Sequence, residues 1–196
     1  MKLTFAPATQ DRWDDIESLF GPRGACAGCW CMWWRLSRAA FKANAGDGNK
    51  RAFKKIVTGG AVPGVLAYDG GVPVGWCAVE PKEAYASLLR SKAKTVDDRP
   101  CWSVPCFFVA KSHRGRGVSA ALLDAAVKHA RANGATLIEG YPIDTDRKAM
   151  DFSAFVGAAQ VFRDAGFTEA ARPSPSRPVM RLALAKGRAA AGRGRG

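Results

Sequence analysis

Phe107-Phe108-Val109-Ala110-Lys111-Ser112-His113-Arg114-Gly115-Arg116-Gly117-Val118-Ser119 is the stretch whose residue types and spacing carry the clearest chemistry. An apolar, strand-like run passes through a basic turn with two glycines into a helix-like run. Gly115 and Gly117 let successive backbone N–H groups face one point, and a helix start adds partial positive charge there. Lys111, Arg114 and Arg116 ring the turn with formal charge, so the segment reads as an anion cradle suited to a pyrophosphate. It is neither a P-loop nor a dinucleotide fingerprint, because Gly-Lys-Ser/Thr and the three-glycine spacing are both missing. Glycine before a helix also serves plain structure, so the segment must be weighed with its setting.

Three further groups invite a chemical reading. Cys26, Cys29 and Cys31 follow a C-x-x-C-x-C spacing that can ligate zinc, but no fourth ligand lies nearby in the chain. Small apolar packing is the expectation there, and no metal. Trp30, Trp33 and Trp34 fall near one face at helical spacing, where they read as core. His113 sits beside the cationic turn and reads as a phosphate contact rather than a base.

The elements that must position these residues follow from pattern. Leu3 to Ala8 reads as a strand. Thr9 precedes a helix whose Trp13, Ile16, Leu19 and Phe20 share a face and which ends near Gly21-Pro22. Asn49 is placed to cap a helix through Lys50, Phe53, Ile56 and Val57 that stops at Gly59-Gly60. Val62 to Tyr68 and Val72 to Val79 read as a hairpin, with Asp69-Gly70-Gly71 supplying positive φ angles. Ala84 to Ala93 is a candidate short helix, and Val96 to Pro100 a loop before the strand Trp102 to Ala110. Pro105 cannot donate to a ladder, so it predicts a bulge or the loss of a neighbour on one side. Val118 to Ala132 is the clearest helix, stopped by Asn133-Gly134, and Thr136 to Tyr141 the strand after it; the crossover makes the flanking strands parallel and adjacent. A helix over Ala154 to Ala165 and a strand over Pro178 to Leu184 complete an α/β pattern, a mixed sheet with helices on both faces.

Composition bounds the rest. A chain of 196 residues, 47% hydrophobic, suits one compact domain over residues 1–185. Residues 186–196 form a Gly/Ala/Arg tail with too few apolar residues to pack, which reads as disordered. Of the net charge of +13, Lys186, Arg188, Arg193 and Arg195 supply 4, and 13 − 4 leaves +9 on the body. That field suits any polyanion, nucleic acid included, and does not choose among them. No apolar run of about 18 residues is present, so no membrane role is expected, and six scattered cysteines read as reduced thiols of a cytoplasmic protein.

Arg114-Gly115-Arg116-Gly117-Val118-Ser119 resembles the acetyl-CoA motif of the GNAT superfamily of N-acetyltransferases: Arg or Gln, two residues, Gly, one residue, then Gly or Ala. Ser119 departs from the last position, and its hydroxyl adds bulk that keeps the backbone a little farther from phosphate. Val161-Phe162-Arg163-Asp164-Ala165-Gly166-Phe167 resembles that family's helix-four ending, and the order of elements over residues 3 to 184 is similar too. The resemblance implies a V-shaped sheet, with strand 102 to 110 splaying from strand 136 to 141. Acetyl-CoA would lie in the cleft as cosubstrate. Phe108, Val109, Arg114, Gly115, Arg116, Gly117, Val118 and Ser119 would bind it, the backbone near Phe108 and Val109 pairing with the pantetheine arm. The usual tyrosine acid is matched by Phe162, which cannot donate. Tyr141 as acid and Glu139 as base or amine anchor, across the cleft, are the substitutes, and Cys106 borders the thioester or packs in the core. The family's segment between the first two helices commonly walls the acceptor pocket, so Trp30, Trp33 and Trp34 would favour a planar, apolar or cationic acceptor. Asp144 and Asp146 would attract a cationic one.

The expected activity is transfer of an acetyl group to a primary amine of a small molecule or peptide. Acylation of aminoacyl-tRNA or protein, in keeping with the +9 body, and a non-catalytic CoA-binding module are the alternatives. Binding of nucleic acid is not favoured. Oligomeric state is left open.

Overall fold

Gly70 and Gly71 take φ angles of 57° and 83°, and the turn they make joins β2 (Gly64–Asp69) to β3 (Val72–Pro81) as the expected antiparallel hairpin. The computed structural model to which these angles belong describes residues 1–91, 96–144 and 154–184. Side chains alternate across the hairpin. Val65, Ala67, Cys77 and Val79 enter one core layer, while Leu66, Tyr68, Trp76 and Ala78 enter the other. Both faces are therefore buried, which is why the strands read as nearly continuous apolar runs.

β1 (Leu3–Pro7), β4 (Trp102–Val109), β5 (Leu137–Gly140), β6 (Thr168–Ser174) and β7 (Arg177–Ala183) complete a seven-stranded sheet of order β1-β2-β3-β4-β5-β7-β6. Only the β4–β5 pair is parallel. Its crossover is α5 (Val118–Ala132), which sinks Leu122, Leu123, Ala126 and Ala130 into the first layer. α1 (Trp13–Phe20) and α3 (Asp47–Thr58) cover the opposite face with Trp13, Ile16, Phe20, Phe53 and Val57. α2 (Arg38–Ala43), α4 (Ala86–Leu89) and α6 (Ala159–Asp164) are shorter. The mixed sheet with helices on both faces is as expected. Burying aromatics as large as Trp76 and Phe53 contributes about 2–3 kcal/mol each.

Pro105 has both of its expected consequences. Ala78 pairs with Cys106 but Glu80 with Ser103, so β4 carries one extra residue beside Pro105, a bulge. Pairing with β5 covers only Trp102 to Val104. Beyond that point, among the described residues, no strand pairs with the β5-side edge of β4, and the sheet splays into a V.

Several local expectations need correction. Asn49 does not cap α3, which begins at Asp47; it is fully buried, and its Nδ2 donates to Gly28 O at 3.0 Å. The helix expected over 154–165 is a 3-10 turn, Ala154–Val156, then Gly157 and the shorter α6. α2 was not anticipated, since it is only six residues long and none of them is buried. β6 was missed for a related reason: it is an exposed edge strand without apolar alternation. Within the stretch 84–93, α4 is the only α-helix among the described residues. Asp146 and the tail 186–196 lie outside the described residues.

Candidate active site

The open edge of β4 and the first turn of α5 form a cleft of about 730 Å³. Gly115 and Gly117 adopt φ of 72° and 80°. A Cβ on either would meet nothing within 4 Å, so glycine is required here by backbone conformation and not by crowding. Among the described residues, none of the backbone N–H groups from Gly115 to Ala120 makes a well-formed hydrogen bond to another protein group, and Gly117 offers no side-chain cap. A helix N-terminus with this many open donors and the exposed Arg114 beside it fits a pyrophosphate.

Phe108, Val109, Arg114, Gly115, Gly117, Val118 and Ser119 all line the cleft, whereas Arg116 does not. The backbone role expected of Phe108 also needs correction. Ala110 N donates to Val74 O at 2.9 Å, and peptide groups alternate along a strand, so Phe108 turns its backbone to β3. Phe107 and Val109 turn theirs to the open edge, where Arg114 Nε already holds Val109 O at 3.0 Å. Such an edge suits an amide-bearing arm that adds as a strand. Gln160 and Arg163 of α6 form the far wall. Sequence pattern places both in a helix but gives no sign that their face meets the cleft.

A second cavity, of about 870 Å³, lies on the other side of the splay. Trp33 and Trp34 line it, and Trp30 does not: it is buried, with its ring 6.2 Å from that of Trp13. The shared helical face expected for these three tryptophans is absent because the chain here is a series of turns. Ala25, Ala27, Trp30 and Cys31 all have positive φ. Each such residue costs about 1 kcal/mol or more, so this wall holds its shape against local strain. Phe108 and Phe155 border both cavities. Nothing in the sequence around Phe155 marked it.

Tyr141 lines the second cavity and Glu139 does not. The Glu139 side chain is wholly buried. Its Oε1 accepts from Lys82 Nζ at 2.6 Å, Tyr141 OH at 2.9 Å and Cys101 Sγ at 3.3 Å, and its Oε2 from Arg181 Nε at 2.7 Å. Burial pushes its pKa up, but Lys82 and Arg181 outweigh that, and the carboxyl lies below its ordinary value. A carboxylate so enclosed reaches no amine, which corrects its assignment as base or anchor. Tyr141, with Ser103 Oγ at 3.0 Å, is pushed well above the ordinary phenol value, first by burial and then by the Glu139 charge.

Phe162 is fully buried against Phe107 and Phe167, with ring centroids at 6.0 and 5.1 Å. His113 Nε2 lies 3.3 Å from Asp69 Oδ2 and Nδ1 2.9 Å from Ser112 Oγ, so neither nitrogen is spare for the expected phosphate contact. Asp144 accepts from Arg163 at 2.8 Å and Arg172 at 2.7 Å and is therefore already neutralised. Cys26, Cys29, Cys31 and Cys106 line the second cavity as free thiols. Burial pushes Cys29 up to about 11, while contact with Cys106 and the Arg35 cation hold Cys31 below its ordinary value. Among the described residues, no three His, Cys, Asp or Glu side chains converge as a metal site would require.

A sheet split beside a helix N-terminal anion cradle, with a second cavity across the split, defines an acyl-CoA-dependent acyltransferase fold. The acetyltransferase (GNAT) family pattern matches residues 30–154, and the chain belongs to that family. Acetyl-CoA is its cosubstrate. Among solved structures, it is similar to histone acetyltransferase HPA2 and related acetyltransferase from Corynebacterium glutamicum. That likeness has 22% identity and a TM-score of 0.57, over 96% of this chain and 100% of the other. A GNAT-family acetyltransferase from Listeria monocytogenes shares 11% identity over 93% and 95% of the two chains, with a TM-score of 0.56. The PaiA N-acetyltransferase from Thermoplasma acidophilum, solved with coenzyme A, shares 9% over 94% and 100%, with a TM-score of 0.51. These likenesses show the fold. No curated protein sequence matches significantly. Among the described residues, no helix is long and apolar enough to cross a membrane.

Proposed function

We propose that this chain moves the acetyl group of acetyl-CoA to a primary amine of a small molecule or peptide by direct attack on the thioester. The observation that carries the reading is the pair Phe108 and Phe155, which borders both the cofactor cleft and the second cavity. A thioester held along β4 would meet an amine from the other side at that pair.

The chemistry needs a neutral amine and a proton for the departing thiolate. An apolar cavity disfavours an ammonium ion, so the acceptor loses its proton to solvent as it enters. As the C–N bond forms and the C–S bond breaks, an open N–H on β4 meets the developing oxyanion. Tyr141 gives its proton to the sulfur and is reprotonated by the proton that the nitrogen sheds once the C–N bond has formed, which leaves an amide and a free thiol. Glu139, held by Lys82 and Arg181, positions the Tyr141 ring rather than touching substrate. The free cysteines support a reducing, cytoplasmic setting, and the shared sheet supports a single domain over 1–185.

The test is to follow free thiol and acetylated product together over a broad panel of amines with acetyl-CoA. Equal yields of both support the reading. CoA binding without thiol release from any amine, even at alkaline pH, would replace it with a non-catalytic CoA-binding module.

A further inference from the structure

Building on that reading, we infer that the acceptor is an amine with an aromatic or bulky apolar body and no second positive charge. Trp33, Trp34, Phe41, Trp76, Phe108 and Phe155 wall the cavity of about 870 Å³, large enough for a fused ring system. Among the described residues, no carboxylate lines it. Three carboxylates elsewhere in the fold are already paired. Glu80 is paired with Arg35, Glu139 is enclosed by Lys82 and Arg181, and Asp144 is held by Arg163 and Arg172.

The aromatic wall is not an empty cage for a cation either. The Arg38 guanidinium already lies 6.0 Å over the Trp33 ring, whose edge meets Phe41 at 5.1 Å. The charged side chain on the lining is Arg177, exposed at the rim. A polyamine or lysine-rich peptide would bring a second ammonium into an apolar space next to a fixed cation, with no counter-charge among these residues. A monoamine with an aromatic body loses one charge on entry and gains ring contacts with Trp33 and Trp34.

The experiment compares 2-phenylethylamine and tryptamine with 1,5-diaminopentane and spermidine, using full-length protein and acetyl-CoA. Calorimetric titration of 2-phenylethylamine into the CoA-saturated protein runs beside it and reads the site without turnover. The aromatic monoamines should lead in kcat/KM by about 100-fold or more, the scale set by burying an unpaired charge. Trp33→Ala, at a side chain exposed enough not to threaten folding, should raise their KM about 10-fold with acetyl-CoA affinity unchanged. Diamine or spermidine turnover equal to or above that of the aromatic amines would overturn the inference and leave acetyl transfer standing. Saturable binding of 2-phenylethylamine without turnover of any amine would keep the site assignment and sink the catalytic reading. Absence of both would overturn the two together.

Discussion

The rings of Phe108 and Phe155 lie 2° from parallel with centroids 6.4 Å apart, and each forms part of the wall of both cavities. In the proposed reaction they are the partition across which the acetyl group passes.

Removing half of that partition should uncouple binding from transfer. Phe155→Ala leaves the anion cradle intact, so acetyl-CoA affinity should stay within about threefold. Transfer should fall by about 10- to 100-fold, the cost of a reacting group misplaced by about an ångström. Calorimetric titration beside steady-state kinetics checks both halves.

Tyr141→Phe removes the proposed proton donor and keeps the ring that packs in the wall. We expect kcat to drop about 100-fold, typical of a lost general acid, with KM for acetyl-CoA unchanged. A drop of less than threefold would show that solvent alone protonates the thiolate.

Acid should unfold the protein through the network behind Tyr141. Asp97 lies below its ordinary value because Arg181 and Arg99 bond it, and Glu139 because Lys82 and Arg181 outweigh its burial. With folded pKa values depressed, the stability these groups contribute is full above the unfolded values of about 4. It is lost as pH falls toward the folded ones. Tm measured from pH 7 down to pH 3 should therefore fall in the acid range. Glu139→Gln, which leaves two buried cations short of a partner, should cost about 3–5 kcal/mol at pH 7 and flatten that dependence.

Gly140 explains how the sheet parts. A Cβ there would sit 2.0 Å from Phe162 Cε1, so the ring fills the notch where β5 leaves β4 only because residue 140 has no side chain. Gly140→Ala should destabilise by about 1–3 kcal/mol through overpacking, and adding Phe162→Leu should recover part of it. Chemical denaturation of the single and double variants measures this.

The parts legible in the sequence share one property: their signal is local. The glycine turn into α5, the Gly70-Gly71 hairpin and Pro105 each declare themselves within a few residues, and together they carried the fold and the cofactor cleft. What escaped depends on distance or on strain. Glu139 reads from sequence as a base or amine anchor because Lys82, 57 residues away, and Arg181, 42 residues away, come to it only through the sheet. The family resemblance places Trp30 with Trp33 and Trp34 in a pocket wall, whereas positive φ angles turn its ring into the core. β6 has no apolar period to find, since an exposed edge strand needs none.

Direct transfer between two cavities requires both substrates to be bound at once, and initial-velocity kinetics reads this most directly. With acetyl-CoA and the best amine varied against each other, double-reciprocal lines should intersect, and intact-mass measurement with acetyl-CoA alone should find no acetylated protein. Parallel lines, together with an acetyl group on a cavity thiol such as Cys31 or Cys106, would contradict the account and put a covalent intermediate in its place.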